Sequence, residues 1–125
     1  MSKHITKPAA DLPTLDGDAL LQAASNPANF APVKLAVPEI GASVYVRQID
    51  ASELDTYATE VKDADDADTR ATILAYALGT AAGLRLYTTE AQVNALKSFN
   101  AKASQRITTK FQALNGMIAD ANEKK

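Results

Sequence analysis

The hydrophobic period of this chain changes once, at Asp50, and that change limits the folds open to it. Before it, Val33, Leu35 and Val37 alternate with Lys34 and Ala36, a Pro38-Glu39-Ile40-Gly41-Ala42 turn follows, and Val44 and Val46 flank Tyr45. A period of two belongs to strands, and two such runs joined by a turn predict an antiparallel β-hairpin in which Gly41 supplies the turn conformation. After Asp50 the apolar residues recur at helical spacing: Leu54, Tyr57, Ala58 and Val61 first, then Ala71, Leu74, Ala75 and Leu78. Strands followed by helices make an α+β protein, here mainly α, in which an N-terminal hairpin leads into a small bundle of about four helices. Two strands alone are not stable, so the helices must cover one face of the hairpin.

Side chains punctuate the helical part. Asp50 is an N-cap, Glu53 three residues on closes a capping box, and Ile49 and Leu54 occupy the two positions of a hydrophobic staple, so a helix starts at Ala51 and fades at Asp63. A second helix runs from about Asp68 to Leu78. Gly79 and Gly83 then bracket a turn, and Leu84-Arg85-Leu86-Tyr87 is extended. Thr89 with Gln92 forms another capping box, for a brief helix carrying Val93 and Leu96. The last helix begins near Asn100, presents Ala103, Ile107, Phe111 and Leu114, and stops at Asn115-Gly116, where glycine suits the left-handed position after a helix.

The 125 residues make one domain, with residues 1–32 a flexible tail, 33–117 the folded part and 118–125 a short C-terminal tail. Four of the five prolines lie in the first 32 residues, a composition that resists continuous regular structure. Within that tail, Asp18 to Ser25 can form a short helix capped by Asp16 or Asp18, with Leu20 and Leu21 seeking a surface to dock on. Apolar residues are 46% of the chain but aromatic ones only 6%, with no Trp, so the core is thin and favours self-association.

Several function classes drop out. With no Cys there is no disulfide, thiolate metal site or thiol nucleophile. Thirteen basic and 15 acidic residues, interspersed to a net charge of −2, form no basic stripe for a phosphate backbone, which argues against nucleic acid as a partner. The first residues hold no apolar run of the signal-peptide kind, and no stretch is long and apolar enough to span a membrane. His4 is the only histidine and lies in the tail, where no catalytic pair can be held rigidly. The acidic run Asp63, Asp65, Asp66, Asp68 lacks the glycine and late glutamate of a calcium loop and reads as a solvated connection whose last Asp caps a helix. No phosphate-binding, zinc-hydrolase or serine-hydrolase motif is present. The residues therefore point to a protein-binding protein rather than an enzyme, with no cofactor and no metal.

Arg47 and Arg106 stand in otherwise apolar elements. Each either pairs with a carboxylate of the acidic connection or meets a partner, as arginine often does at interfaces. Tyr45 raises the same question, although most aromatics of so poor a set belong to the core. The candidate partner-binding residues are thus Leu20, Leu21, Tyr45, Arg47 and Arg106. The candidate structural ones are Gly41, Ile49, Asp50, Glu53, Leu54, Asn115 and Gly116.

Several segments together resemble the tail assembly chaperones of long, flexible-tailed bacteriophages. In that family a Val-Pro-Glu-(aromatic)-Gly turn leads to a Val-x-Val-Arg-(Glu/Gln)-(Leu/Ile) strand and a short link into a helix; here Val37-Pro38-Glu39-Ile40-Gly41 is followed by Val44-Tyr45-Val46-Arg47-Gln48-Ile49 and Asp50 to Asp55. An Ala/Leu-rich helix, a Leu-Phe-Thr-like step and a closing helix with Arg-Leu and Leu-Asn-Gly correspond to Thr72 to Leu78, Leu86-Tyr87-Thr88, Arg106-Ile107 and Leu114-Asn115-Gly116. The resemblance spans roughly Val33 to Met117. It departs at Ile40, at Thr80-Ala81-Ala82-Gly83, and by one extra residue before Val93.

The resemblance implies a protein of the bacterial host cytoplasm during infection. Such a protein coats the tape measure protein, keeps its apolar helices soluble, helps recruit major tail tube subunits and leaves before the virion is complete. It further implies two products of different length, made by a programmed backward slip of the ribosome, and Glu123-Lys124-Lys125 can be encoded by an adenine run on which such a slip occurs. The alternatives are a structural virion protein, such as a head-tail connector or tail-completion subunit, and a small regulatory or nucleic-acid-binding domain.

Overall fold

The computed structural model describes residues 12–117; His4, the first part of the expected tail, the expected 118–125 tail and Glu123-Lys124-Lys125 lie outside the described residues. Mainly helical, it holds five α-helices and a small three-stranded antiparallel sheet. Helix α1 spans Gly17–Ser25, and a 3-10 turn, Pro27–Phe30, leads into the sheet. Strand β1 (Val33–Val37) pairs antiparallel with β2 (Ala42–Val46), in a register that sets Val33 opposite Val46 and Val37 opposite Ala42. Between them Pro38–Ile40 makes one 3-10 turn, ended by Gly41 at φ 65, a left-handed conformation that costs a residue with a Cβ more than glycine.

Helix α2 covers Ala51–Asp63, started by Asp50, whose carboxylate accepts from the Glu53 backbone N–H at 2.8 Å. Its packed stripe is narrower than the spacing suggests: Tyr57 is buried, Leu54 and Val61 are half-buried, and Ala58 is exposed. Helix α3 runs over Asp66–Ala77 and starts earlier than expected because Asp65, not Asp68, is its cap, accepting from the Asp68 N–H at 2.9 Å. Asp66 and Asp68 then fall in the first turn, where the helix dipole favours carboxylates, and Asp68 pairs with Lys97 at 2.6 Å.

The end of α3 is the main departure from the sequence reading. Leu78 shares the spacing of Ala71, Leu74 and Ala75, but the helix stops at Ala77, and Leu78–Gly79 form β3 on the free edge of β2. The extended segment that follows returns alongside, with Leu86 N–H donating to Leu78 O at 3.2 Å and Thr80 N–H to Leu84 O at 2.8 Å. A two-residue strand has no period to detect, which is why the pattern reads it as helix. Helix α4 (Glu90–Ala95) has a complete capping box, Thr89 accepting from Gln92 N–H and the Gln92 side chain accepting from Thr89 N–H.

Helix α5 (Ala101–Leu114) closes the core with Ala103, Ile107 and Phe111, all buried. After Asn115 at the C-cap, Gly116 takes φ 67, Met117 N–H donates to Gln112 O at 2.8 Å and Gly116 N–H to Ala113 O at 3.3 Å, which is a Schellman ending. The core joins Val37 and Val46 of the sheet to Leu74 and Leu78, with the Tyr57 ring edge-on to Tyr76 and to Phe111 at 5.3 and 5.5 Å between centroids. Central α3 buries Ala71, Ala75 and Ala77, small side chains that let neighbouring elements approach closely.

Candidate partner-binding surfaces

Arg47 leaves the end of β2 and turns into the molecule. Its guanidinium donates to both Glu53 oxygens, at 2.8 and 2.9 Å, to Tyr76 O at 2.8 Å and to Gly83 O at 3.0 Å, and the residue is 8% exposed. Four donors satisfied by fixed acceptors make a buried cation tolerable. The expected partner was a carboxylate of the acidic connection; the actual one is Glu53, held at the start of α2 by Asp50. Glu53 therefore does not complete its capping box, since both its oxygens accept charged N–H groups of Arg47 in place of one neutral backbone N–H. An arginine spent on internal acceptors is not offered to a partner, so Arg47 belongs to the core rather than to a contact surface.

Two further residues build this hub, and sequence reasoning assigned neither role. Gly79 leaves room for the arginine stem: a Cβ there would stand 2.5 Å from Arg47 Cγ and 2.8 Å from Cδ. Asn115, besides ending α5, accepts from Ile49 N–H at 2.8 Å and donates to Arg47 O at 3.1 Å, tying the link between β2 and α2 to the C-terminal end of α5. Ile49 and Leu54 are half-buried against the core on either side of Asp50. The two-glycine spacing in Gly79 to Gly83 signals a turn, but nothing local shows that a side chain from position 47 must cross it.

Arg106 grips Glu39 of the hairpin turn instead of the acidic connection, with donor-acceptor distances of 2.7, 2.9 and 3.2 Å. These hydrogen bonds, with a smaller effect of Lys102, hold the Glu39 carboxyl below its ordinary pKa, and Glu39 in turn raises that of Arg106. Arg47 and Arg106 thus bind different glutamates at opposite ends of β2. Tyr45 is half-buried on β2, opposite Lys34 and Gly79. Leu20 and Leu21 stand on α1, exposed, so the five candidate contact residues do not converge on one site.

An open cleft of about 600 Å³ lies between the end of α1, Phe30, the Arg47–Glu53 pair and Gly83. A second, of about 550 Å³, is walled by Glu60, Asp68, Arg85 and Lys97. Beside it the buried Tyr76 hydroxyl donates to Glu60 at 2.9 Å, and the Arg85 guanidinium lies 4.3 Å from the Tyr76 ring centroid. Burial first, then the Glu60 carboxylate, pushes the Tyr76 pKa up to about 12, and burial also raises that of Tyr57. A hydroxyl held protonated this firmly is the opposite of an activated nucleophile. Among the described residues no group of three or more His, Cys, Asp or Glu is placed to hold a metal ion, and no helix is long and apolar enough to cross a membrane. The polar side-chain pairs that the structure does bring together join one element to another.

Compared with protein-family models, with curated proteins and with solved structures, the chain matches none.

Proposed function

We propose that this protein is a tail assembly chaperone of a long-tailed bacteriophage, acting in the host cytoplasm by covering the apolar helices of the tape measure protein and helping recruit tail tube subunits. The observation that carries the reading is the ordered set of resembling segments between Val33 and Met117. What supports it is where those segments fall. Val37 to Gly41 forms the hairpin turn, Arg47 the buried hub, Glu53 its partner, and Leu114-Asn115-Gly116 the helix ending that reaches back to the hub. Residues of one motif set that meet in space are a stronger sign than the same residues scattered. Exposed leucines and a small alanine-rich core suit reversible protein binding, and repeated weak contacts along one long partner gain strength by multivalency.

Co-expression tests this directly. The cognate tape measure protein should gain soluble yield with this chain and not with an unrelated small acidic protein. Equal rescue by both, or detection of the chain as a stoichiometric component of purified particles, would overturn the reading, the second outcome in favour of a structural virion protein.

A further inference from the structure

The charges that nearly cancel over the whole chain are unevenly placed. Between Asp50 and Asp68 stand eight acidic residues and the single base Lys62, whereas the stretch from Ala91 to Met117 holds Lys97, Lys102, Arg106 and Lys110 with no Asp or Glu. Helix α5 buries Ala103, Ile107 and Phe111 and turns outward a face of Lys102, Gln105, Arg106 and Thr109, all exposed, with Lys110 at its flank. Cations one helical turn apart repel one another, and α5 has no acidic side chain of its own to set between them.

The counter-charge comes from another part of the fold. Glu39, on the hairpin turn 67 positions away, accepts from both Nε and Nη2 of Arg106, and the pair borders an open hollow of about 390 Å³ lined also by Lys102, Gln105 and Thr109. Lys102 adds to the positive field at the Glu39 carboxylate, yet it takes part in none of the ion pairs among the described residues. The face is thus already a receptor for a carboxylate: the chain supplies one, and a cation beside it is left over. The Arg106 side chain is 44% exposed, so a second carboxylate can reach it while the core stays as it is. Exposed pairs of this kind are held weakly, and one carboxylate exchanges for another at little cost.

We propose that the outward face of α5 docks an acidic segment of a partner protein, and that Glu39 is a placeholder which the partner's carboxylate displaces from Arg106. The planar guanidinium fork fits a carboxylate, and Lys102 and Lys110, one turn to either side of Arg106, offer points for further acidic side chains. A phosphate backbone is the poorer match, since tight binding to it draws on more cations than this face presents. The inference is independent of the assembly role proposed above.

A short synthetic oligoglutamate peptide, titrated into the full chain at low salt and followed by NMR, tests it. The peptide is expected to shift the signals of Ala101–Leu114 and of the Pro38–Gly41 turn, the Arg106 Nε–H among them, and to leave those of α2 and α3 in place. Lys102→Ala with Arg106→Ala weakens binding by about fivefold or more, as the loss of two exposed ion pairs does. Glu39→Gln strengthens it by about threefold, because Arg106 no longer has to be released from its own partner. Asp63→Asn, the same change of net charge at the end of α2, leaves the affinity as it was. Circular dichroism verifies that each variant is folded, and the Arg106 Nε–H shift in the unaltered chain needs no variant at all. Four results would overturn the proposal: no binding; shifts away from α5; equal strengthening by Glu39→Gln and Asp63→Asn, which reduces the effect to net charge; or a short DNA duplex that takes the same face more tightly than the peptide, which assigns it to phosphate.

Discussion

Arg47 and Arg106 both hold a glutamate with a bidentate grip, at opposite ends of the same strand, and their surroundings give the two pairs different meanings. The Arg47 and Glu53 side chains are 9% and 27% exposed, and two backbone carbonyls complete the arginine's shell. The Arg106 side chain is 44% exposed and that of Glu39 17%, so in this pair it is the arginine that water reaches. Identical chemistry is thus obligatory in one place and optional in the other, because a buried charge that loses its partner must bear its desolvation cost, whereas an exposed one is rehydrated. The hub joins β2, α2, α3 and the Gly83 turn; the outer pair fastens one hairpin turn to α5.

The largest effect should come from Arg47→Ala, which strands Glu53 and two carbonyls. Denaturant unfolding is expected to show a loss of about 3–5 kcal/mol, the range for breaking a buried pair, and a loss within the ordinary surface range of about ±0.5 kcal/mol would erase the contrast between the arginines. Arg47→Lys should recover little of it, since one ammonium cannot reproduce the fork.

Next comes pH, which should weaken the two ends from opposite directions. The Tyr76 hydroxyl binds its proton more tightly folded than unfolded, so its contribution is complete below the ordinary value of 10.0 and is lost as pH rises towards about 12, amounting to roughly 2–3 kcal/mol. Glu39 has the opposite sign: its lowered pKa gives stability at neutral pH that disappears as pH falls through the lowered value. Absorbance titration should show Tyr57 and Tyr76 ionising above the ordinary tyrosine value. A single wave near the ordinary value would remove the buried hydroxyl from the account.

Arg106→Ala should then change stability clearly less than Arg47→Ala. Its expected signature is local, faster amide exchange in Pro38–Gly41 with the rest unaltered, and global unfolding of this variant would mean that the outer pair is as structural as the hub. The smallest effect sharpens the comparison from the other side. Among the described residues Ser104 and Arg47 are the two buried polar ones, and the Ser104 hydroxyl finds no hydrogen-bond partner among them. Ser104→Ala should be neutral or stabilising by up to about 1 kcal/mol, since an unsatisfied group is removed and helix propensity improves. A loss of that size would reveal a partner for the hydroxyl.

What could be read in advance follows from how far each interaction reaches along the chain. The Asp50 cap, the Thr89–Gln92 box and the Asn115-Gly116 ending were legible because each joins residues within a few positions, so that spacing alone carries the geometry. Asp65 displaced Asp68 as a cap because four aspartates in six positions leave the first turn locally ambiguous. The partner of Arg47 was misread although it lies six positions away, since a capping box and an arginine compete for the same carboxylate and only the fold brings the arginine there. Nothing near Leu78 distinguishes a last helical turn from a strand edge; β2 decides that by offering unpaired backbone groups.

By itself, then, the sequence determined the elements, their order and most of their ends, because propensity, capping and hydrophobic period act over one or two turns of chain. Only the tertiary structure decided that Leu78–Gly79 is a strand, that Gly79 is small to let the stem of Arg47 pass, that Asn115 holds Ile49 and Arg47 across more than 60 residues, and that α1 buries none of its residues. Each of these depends on which polar group finds a partner once water is excluded, and the identity of that partner is fixed by packing rather than by proximity in the chain.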